Sequence, residues 1–195
     1  MAKIAKIKVK TNHTQSNSII LIAVLAGIVA LLDYMGVVAF PIGFFSVSAF
    51  YIGSAFFTAF AIWFKWKGLI AIYFGLLIGA LIAGTFTIFA FILALGNVIG
   101  AFMPMVFFRY TKFDFRLKDW KDMAIFVLSA TILQNIISAA WTLYGFSIFG
   151  LMPSGAVIPA ATGWVLGGVV VSIIIGMPLL KIISPVVQRM SIFEK

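Results

Sequence analysis

The chain of 195 residues is 64% hydrophobic and 10% charged, with a mean hydropathy of +1.19. A soluble domain commonly has about a quarter of its residues charged, so this composition predicts a polytopic membrane protein. The chain has no cysteine and a single histidine, His13, in a polar stretch. Disulfides, thiolate catalysis and Cys-ligated or multi-His metal sites are therefore excluded, and we expect no metal and no cofactor.

Apolar stretches in the chain predict an all-α bundle of six transmembrane helices. Residues 1–17 form a basic cytoplasmic arm, residues 18–183 the membrane domain and residues 184–195 a cytoplasmic tail. The first apolar run could pass for a signal peptide, but we expect it to be kept as a membrane anchor. The predicted spans are Ser18–Ala39, Phe44–Phe64, Gly68–Ala83, Thr87–Phe108, Met123–Tyr144 and Pro159–Ile183.

The distribution of basic residues predicts the topology. Four of the 14 lie in the N-terminal arm, two in the Lys65–Lys67 turn, five in the loop at 109–122 and three at the C-terminal end. None falls in the three opposite loops. The positive-inside rule therefore predicts a multi-pass cell-membrane protein with both termini in the cytoplasm. The net charge of +9 then reflects topology and anionic lipid, so no nucleic-acid partner is expected.

The segment Arg109–Asp122 is the long polar passage between the predicted fourth and fifth helices. Phe113, Leu117 and Trp120 follow helical spacing, and Asp114 and Lys118 are four residues apart. This pattern favours a short amphipathic segment on the membrane surface, with these three apolar side chains in the interface. A solvated loop is the alternative.

Small residues recur at four-residue spacing, which lets helix backbones approach closely in lipid. We interpret them as contacts within the bundle or, most plausibly on the first helix, as a docking face for a partner protein. The residues concerned are Ala23, Gly27, Ala26, Ala30, Gly75 and Gly79.

Asp33 is the one ionisable residue well inside a predicted span, about 22 Å along the first helix. It must be protonated, hydrated or paired with a cationic ligand. Other polar and aromatic residues at compatible depth either satisfy one another or line an outward-facing pocket for a small ligand. The candidate ligand-binding residues are Asp33, Asn97, Gln134, Asn135, Trp141, Tyr144 and Trp164. We find no nucleophile–His pair, carboxylate pair or phosphate-binding loop, so no enzyme is expected.

Two passages carry a family resemblance. The first is Gly96-Asn97-Val98-Ile99-Gly100-Ala101, followed by Phe108-Arg109-Tyr110 and then by Phe115–Trp120. The second runs from Trp164-Val165-Leu166-Gly167 through Pro178-Leu179-Leu180. They resemble the bacterial membrane-associated sensor domain that precedes diguanylate cyclase and histidine kinase modules. That family often carries acids near the positions of Gly100 and Gly168. The resemblance implies a non-enzymatic module that senses or captures a small ligand from outside and acts through another membrane or cytoplasmic protein.

The size and helix count are also similar to those of the S components of energy-coupling-factor transporters. Those proteins carry a small-residue stripe on the first helix, which Ala23, Gly27, Ala26 and Ala30 would match. The resemblance implies a substrate-binding subunit for vitamin-type uptake. A structural accessory subunit of a larger membrane complex is the third alternative.

Overall fold

The structure is a computed structural model, and it describes residues 2–39, 51–111, 113–114 and 116–190. For residues 2–16, 37 and 39 it describes the backbone alone. Within these ranges the chain forms helices and turns, and no strand occurs.

The helices lie close together in the sequence. They are α1 (Ala2–Ala39), α2 (Gly53–Phe64), α3 (Trp66–Ile82) and α4 (Ala90–Thr111), followed by two long helices that each contain a π-helical segment. The first of these comprises α5 (Trp120–Phe126), π1 (Val127–Leu133) and α6 (Gln134–Ile148). The second comprises α7 (Ser154–Val171), π2 (Ser172–Gly176) and α8 (Met177–Val187).

In the part of the chain that the structure describes, four apolar helical stretches are long enough to cross a membrane, with 20 to 34 residues each. They are Asn17–Gly36, Ala90–Thr111, Trp120–Ile148 and Ser154–Val187. Helices α2 and α3 are apolar but shorter, with 12 and 17 residues. These findings confirm the predicted all-α membrane bundle.

Helix α2 is the centre of the bundle. All of its residues except Phe56 are buried, and it packs against α1, α3, α4 and α8. A single-residue turn at Lys65, with φ 50°, joins it to α3. Gly68 then lies directly against the Phe60 carbonyl, where any side chain would collide with backbone. Glycine at this position therefore permits the tight α2–α3 hairpin.

Contacts between helices define their relative directions. A Cβ at Gly75 would lie 2.5 Å from Val29, and one at Gly79 would lie 2.5 Å from Asp33, so α1 and α3 run parallel. Other contacts make α4 antiparallel to α6 and α2 parallel to α8. These contacts are Gly96–Ser138, Gly100–Gln134, Ala55–Gly176 and Trp63–Ser184. Successive helices therefore alternate in direction.

Several observed boundaries differ from the predicted ones. Helix α1 continues back through the basic arm to Ala2. Residues 44–50 of the predicted second span lie outside the described residues, and the helix begins only at Gly53. The last long helix begins at Ser154, not at Pro159, because extended Pro153 (ψ 136°) directly precedes its first turn.

The helical geometry assumed for the segment after α4 is wrong. Its described residues between Phe113 and Asp119 are not helical, and Leu117 has φ 50° and is only 1% exposed. The positive φ turns Leu117 into the hydrophobic core, where Phe113 also packs against Phe108. Trp120 starts α5 and is 70% exposed. The surface position of the segment stays a prediction.

An ion pair holds the turn before Leu117. Arg116 donates from Nε to Asp114 Oδ1 at 2.8 Å and from Nη2 to Oδ2 at 2.6 Å, while Lys118 is 3.9 Å from the same carboxylate. The Arg116 hydrogen bonds lower the pKa of Asp114 below its ordinary value of 3.8. The predicted Asp114–Lys118 pair thus exists, but it lies in a loop and is longer than the Arg116–Asp114 pair.

Candidate functional site

Asp33 is buried and forms a hydrogen bond with the half-buried Tyr51. The Tyr51 hydroxyl donates to Asp33 Oδ1 at 2.6 Å, and Asp33 is 4% exposed. No Lys or Arg occurs between Lys10 and Lys65 or between Lys67 and Arg109. The carboxyl group is therefore held by a neutral donor in an apolar stretch of the chain.

Three glycines make room for this pair. A Cβ at Gly36 would lie 2.8 Å from the Tyr51 ring, and one at Gly53 would lie 2.9 Å from it. A Cβ at Gly79 would lie 2.5 Å from Asp33 Oδ2. Real Cβ atoms do not approach other atoms this closely, so a side chain at any of these three positions would force Tyr51 or Asp33 to shift.

Two counts along the helices give the depth of the pair. Gly79 lies 14 residues after Lys65 and Gly53 lies 12 before it, which correspond to about 21 Å and about 18 Å of helix. A hydrocarbon core is about 30 Å thick. A Lys65 turn at one membrane surface would place Asp33 and Tyr51 in the opposite half of the membrane.

A second set of hydrogen bonds extends from Tyr51 to α6. Ser54 Oγ donates to the Tyr51 carbonyl at 2.9 Å, and Gln134 Nε2 donates to the Ser54 carbonyl at 3.1 Å. Thr58 Oγ1 then donates to Gln134 Oε1 at 2.7 Å. Asp33 and Gln134, both candidates from the sequence, are thus joined through the first turn of α2.

Asn97 and Asn135 form separate contacts. Ser138 Oγ donates to Asn97 Oδ1 at 3.0 Å, and Asn97 Nδ2 donates to the Leu93 carbonyl at 3.1 Å. Asn135 donates to the Thr131 carbonyl at 2.7 Å and lies against Gly168 of α7. These two amides are satisfied within their own helix or across one helix interface.

The candidate aromatic residues lie apart from the Asp33–Tyr51 pair. Trp141 is 47% exposed and donates to the Ile92 carbonyl at 3.1 Å, and Tyr144 is 55% exposed. Trp164 is buried in a hydrophobic cluster with Leu93 and other residues of α4, α6 and α7. A common wall formed by these rings around Asp33 stays a prediction.

The small residues fall into two groups. Ala26 and Ala30 are buried and Gly75 and Gly79 lie directly on α1, so these four pack α1 against α3. In contrast, Ala23 is exposed, and nothing lies within 4 Å of a Cβ added at Gly27. Only Ala23 and Gly27 remain available for an external contact.

A small cavity of about 20 Å³ lies between α3, α4 and α6. It is lined by Ala80, Thr85, Thr87, Phe89, Ala90, Leu93 and Phe146. A bound water molecule needs a cavity of about 10–15 Å³. The cavity therefore fits one water and no organic ligand.

Sequence reasoning missed Tyr51, Ser54 and Thr58. Tyr51 lies next to an apolar stretch, where a tyrosine usually indicates an interfacial position. The spacing of Ser54 and Thr58 by four residues placed both on one face of α2, which was the available signal. Comparison of the chain with protein-family models, with curated proteins and with solved structures finds no match.

Proposed function

We propose that the protein is a non-enzymatic integral membrane module that takes up a proton or a small cationic ligand at Asp33 from the outer side and acts through a partner protein. The observation that carries the proposal is the buried Asp33 carboxyl group, which is hydrogen-bonded to the neutral Tyr51 hydroxyl. A carboxylate buried in lipid is costly, and its neutral partner does not cancel its charge. A proton or a bound cation would do so.

The proposed topology has six membrane crossings with both termini in the cytoplasm. Alternating helix directions, inferred from the contacts above, support it. The α2–α3 hairpin cannot be a re-entrant loop that stops in hydrocarbon, because its tip carries Lys65 and Lys67. In the proposed topology the hairpin reaches the surface that also carries the other basic segments, which the positive-inside rule assigns to the cytoplasm.

The hydrogen bonds around α2 provide a route from the ligand to the rest of the bundle. A cation at Asp33 would compete with the Tyr51 hydroxyl for the carboxylate. Tyr51 is linked through Ser54 to Gln134 of α6. A change at Asp33 would thus alter the packing of α2 against α6, and a partner that contacts the bundle would detect it.

Reaction with a hydrophobic carbodiimide tests the proposal. The reagent adds to a protonated carboxyl group in the membrane, and mass spectrometry of the peptide that contains Asp33 measures the adduct. We expect the adduct at Asp33, less of it at higher pH, and protection by Na⁺ or by a small organic ammonium ion. Asp33→Asn is the matched control and should give no adduct. An Asp33 that stays unreactive at every pH and cation concentration would contradict the proposal.

An uptake subunit similar to S components is the second candidate. The exposed face of α1 with Ala23 and Gly27 favours it, because small exposed residues let a second membrane helix approach closely. The gene neighbourhood discriminates between the alternatives. An adjacent ATPase and coupling membrane protein would support uptake, a kinase or cyclase would support sensing, and a membrane enzyme would support an accessory subunit.

A further inference from the structure

The last two long helices each contain a π-helical segment. Segment π1 covers Val127–Leu133 and segment π2 covers Ser172–Gly176, and the two segments contact each other. A π-helical turn shifts the backbone hydrogen bonds by one residue, and such turns occur frequently at functional sites. The two π-helical segments lie on facing helices, and neither has a role in the proposed function of Asp33.

Two contacts define the register between these antiparallel helices. Gly168 lies against Asn135, and a Cβ at Gly176 would lie 3.3 Å from Phe126 Cζ. On the last helix, Ser172 is midway between Gly168 and Gly176. On the facing helix, the position midway between Phe126 and Asn135 is at about Thr131. The register therefore places Ser172 opposite Thr131.

Both hydroxyl groups lack a hydrogen bond. Thr131 and Ser172 are 0% exposed, and neither Thr131 Oγ1 nor Ser172 Oγ has a partner among the described residues. A buried hydroxyl in a helix commonly donates to the carbonyl four residues before it. Ser129 does so to Ile125 at 2.7 Å, whereas Thr131 and Ser172 do not. Unpaired polar groups of this kind are rare in native proteins, and a bound water or ion is one explanation for them. Two such groups on facing helices favour that explanation here.

We propose that Thr131 and Ser172 bind internal water between π1 and π2. Water can donate to and accept from both hydroxyl groups and can reach the carbonyls that the π-helical turns leave displaced. A cation is the less suitable occupant, because residues 123–187 contain no Asp or Glu to balance its charge. This site is independent of Asp33 and of the proposed function.

Substitutions that remove one hydroxyl at a time test the proposal. Thr131→Val and Ser172→Ala, singly and combined, are compared by thermal unfolding in detergent. If one water bridges both groups, each single change lowers Tm, and the double change lowers it by less than the sum. If the hydroxyls are unliganded, each change raises Tm, because a buried unpaired polar group is removed. That result would overturn the proposal.

Thr142→Val is the matched control. Thr142 is also fully buried without a hydrogen-bond partner among the described residues, but it packs on Gly96 of α4, away from π2. We expect this change to leave Tm unchanged or to raise it. The series is repeated in sodium chloride and in choline chloride. A Tm increase that occurs only with Na⁺ and is lost in Thr131→Val would indicate that a cation, not water, occupies the site. That result would overturn the proposal.

Radiolytic hydroxyl-radical footprinting of the unaltered protein decides the question even if a variant does not fold. Radicals generated from bound water oxidise the side chains next to it. Phe126 is 0% exposed and lies beside π2, so it should be oxidised despite its burial. Ile72, also 0% exposed but on α3, should stay protected. Equal protection of both residues would show that no water is present.

Discussion

The Tyr51 hydroxyl and the Asp33 carboxyl group lie 2.6 Å apart, although 18 residues separate them in the chain. Gly36, Gly53 and Gly79 leave the space that this contact occupies. The pair joins α1 to the residue that precedes the N-cap of α2, at the level where Gly79 of α3 contacts Asp33. The pair therefore connects two parts of the bundle and is also the candidate ligand site.

Tyr51→Phe should destabilise the protein by about 1–3 kcal/mol, because Asp33 loses a hydrogen-bond donor in a buried position. The measurement is the free energy of unfolding of the detergent-solubilised protein in an SDS titration. Tyr34→Phe is the control, since Tyr34 is adjacent to Asp33 in the chain but exposed. Equal stability of the two variants would show that the Tyr51–Asp33 bond contributes little.

Composition and apolar length were sufficient to predict an all-α membrane bundle. Small-residue spacing predicted close packing within the bundle, but it did not predict that Gly75 and Gly79 would pack against α1. The Tyr51 partner of Asp33 was not predictable, because the bond depends on how three helices meet and not on local spacing. The burial of Leu117 was missed because a positive φ interrupts the assumed helical periodicity. The π-helical segments have no local sequence signal that distinguishes them from α-helix.

Gly75→Ala should weaken the contact between α1 and α3. A Cβ there would lie 2.5 Å from Val29 Cβ and 2.7 Å from the Ala26 carbonyl oxygen, and this backbone atom cannot move without shifting the helix. We expect a loss of about 1–3 kcal/mol in unfolding free energy, the usual cost of overpacking. Gly27→Ala is the matched control on the same helix pair, because its Cβ meets nothing within 4 Å. It should be neutral or slightly stabilising. A similar loss in both variants would indicate a helix-wide effect.

The turn between α4 and α5 should depend on pH through Asp114. Arg116 lowers the pKa of Asp114 in the folded protein. The ionised carboxylate therefore stabilises the turn at pH values above its ordinary pKa of 3.8. This contribution is lost as the pH falls through the lowered folded pKa. Amide hydrogen exchange of residues 113–119, corrected for intrinsic rates, measures it. Asp114→Asn should remove the pH dependence, and a dependence that persists in this variant would assign it to another group.

Cysteine labelling tests the predicted topology in a chain that has no native cysteine. Ser154→Cys and Lys118→Cys both place the thiol at an exposed position, one at the first residue of α7 and one before α5. A membrane-impermeant maleimide applied to intact cells should label the Ser154 variant only, and the Lys118 variant should react after permeabilisation. Labelling of both variants from outside would refute six crossings with cytoplasmic termini.

Gln134→Leu should distinguish a purely structural role of this amide from a role in coupling Asp33 and Tyr51 to α6. The change removes hydrogen bonds of 2.7 Å to Thr58 and 3.1 Å to the Ser54 carbonyl, so we expect a loss of about 1–3 kcal/mol in unfolding free energy. It should also alter the rate at which carbodiimide reacts with Asp33, because Ser54 is hydrogen-bonded to the Tyr51 carbonyl.

Asn97→Leu is the matched comparison for that experiment. Asn97 is likewise a buried amide with two hydrogen bonds, but these go to Ser138 and to its own helix, and none goes to α2. A similar loss of stability with an unchanged reaction rate at Asp33 is expected. If both substitutions change the rate equally, general loosening of the bundle explains the effect, and the chain of hydrogen bonds from Tyr51 through Ser54 to Gln134 does not transmit it.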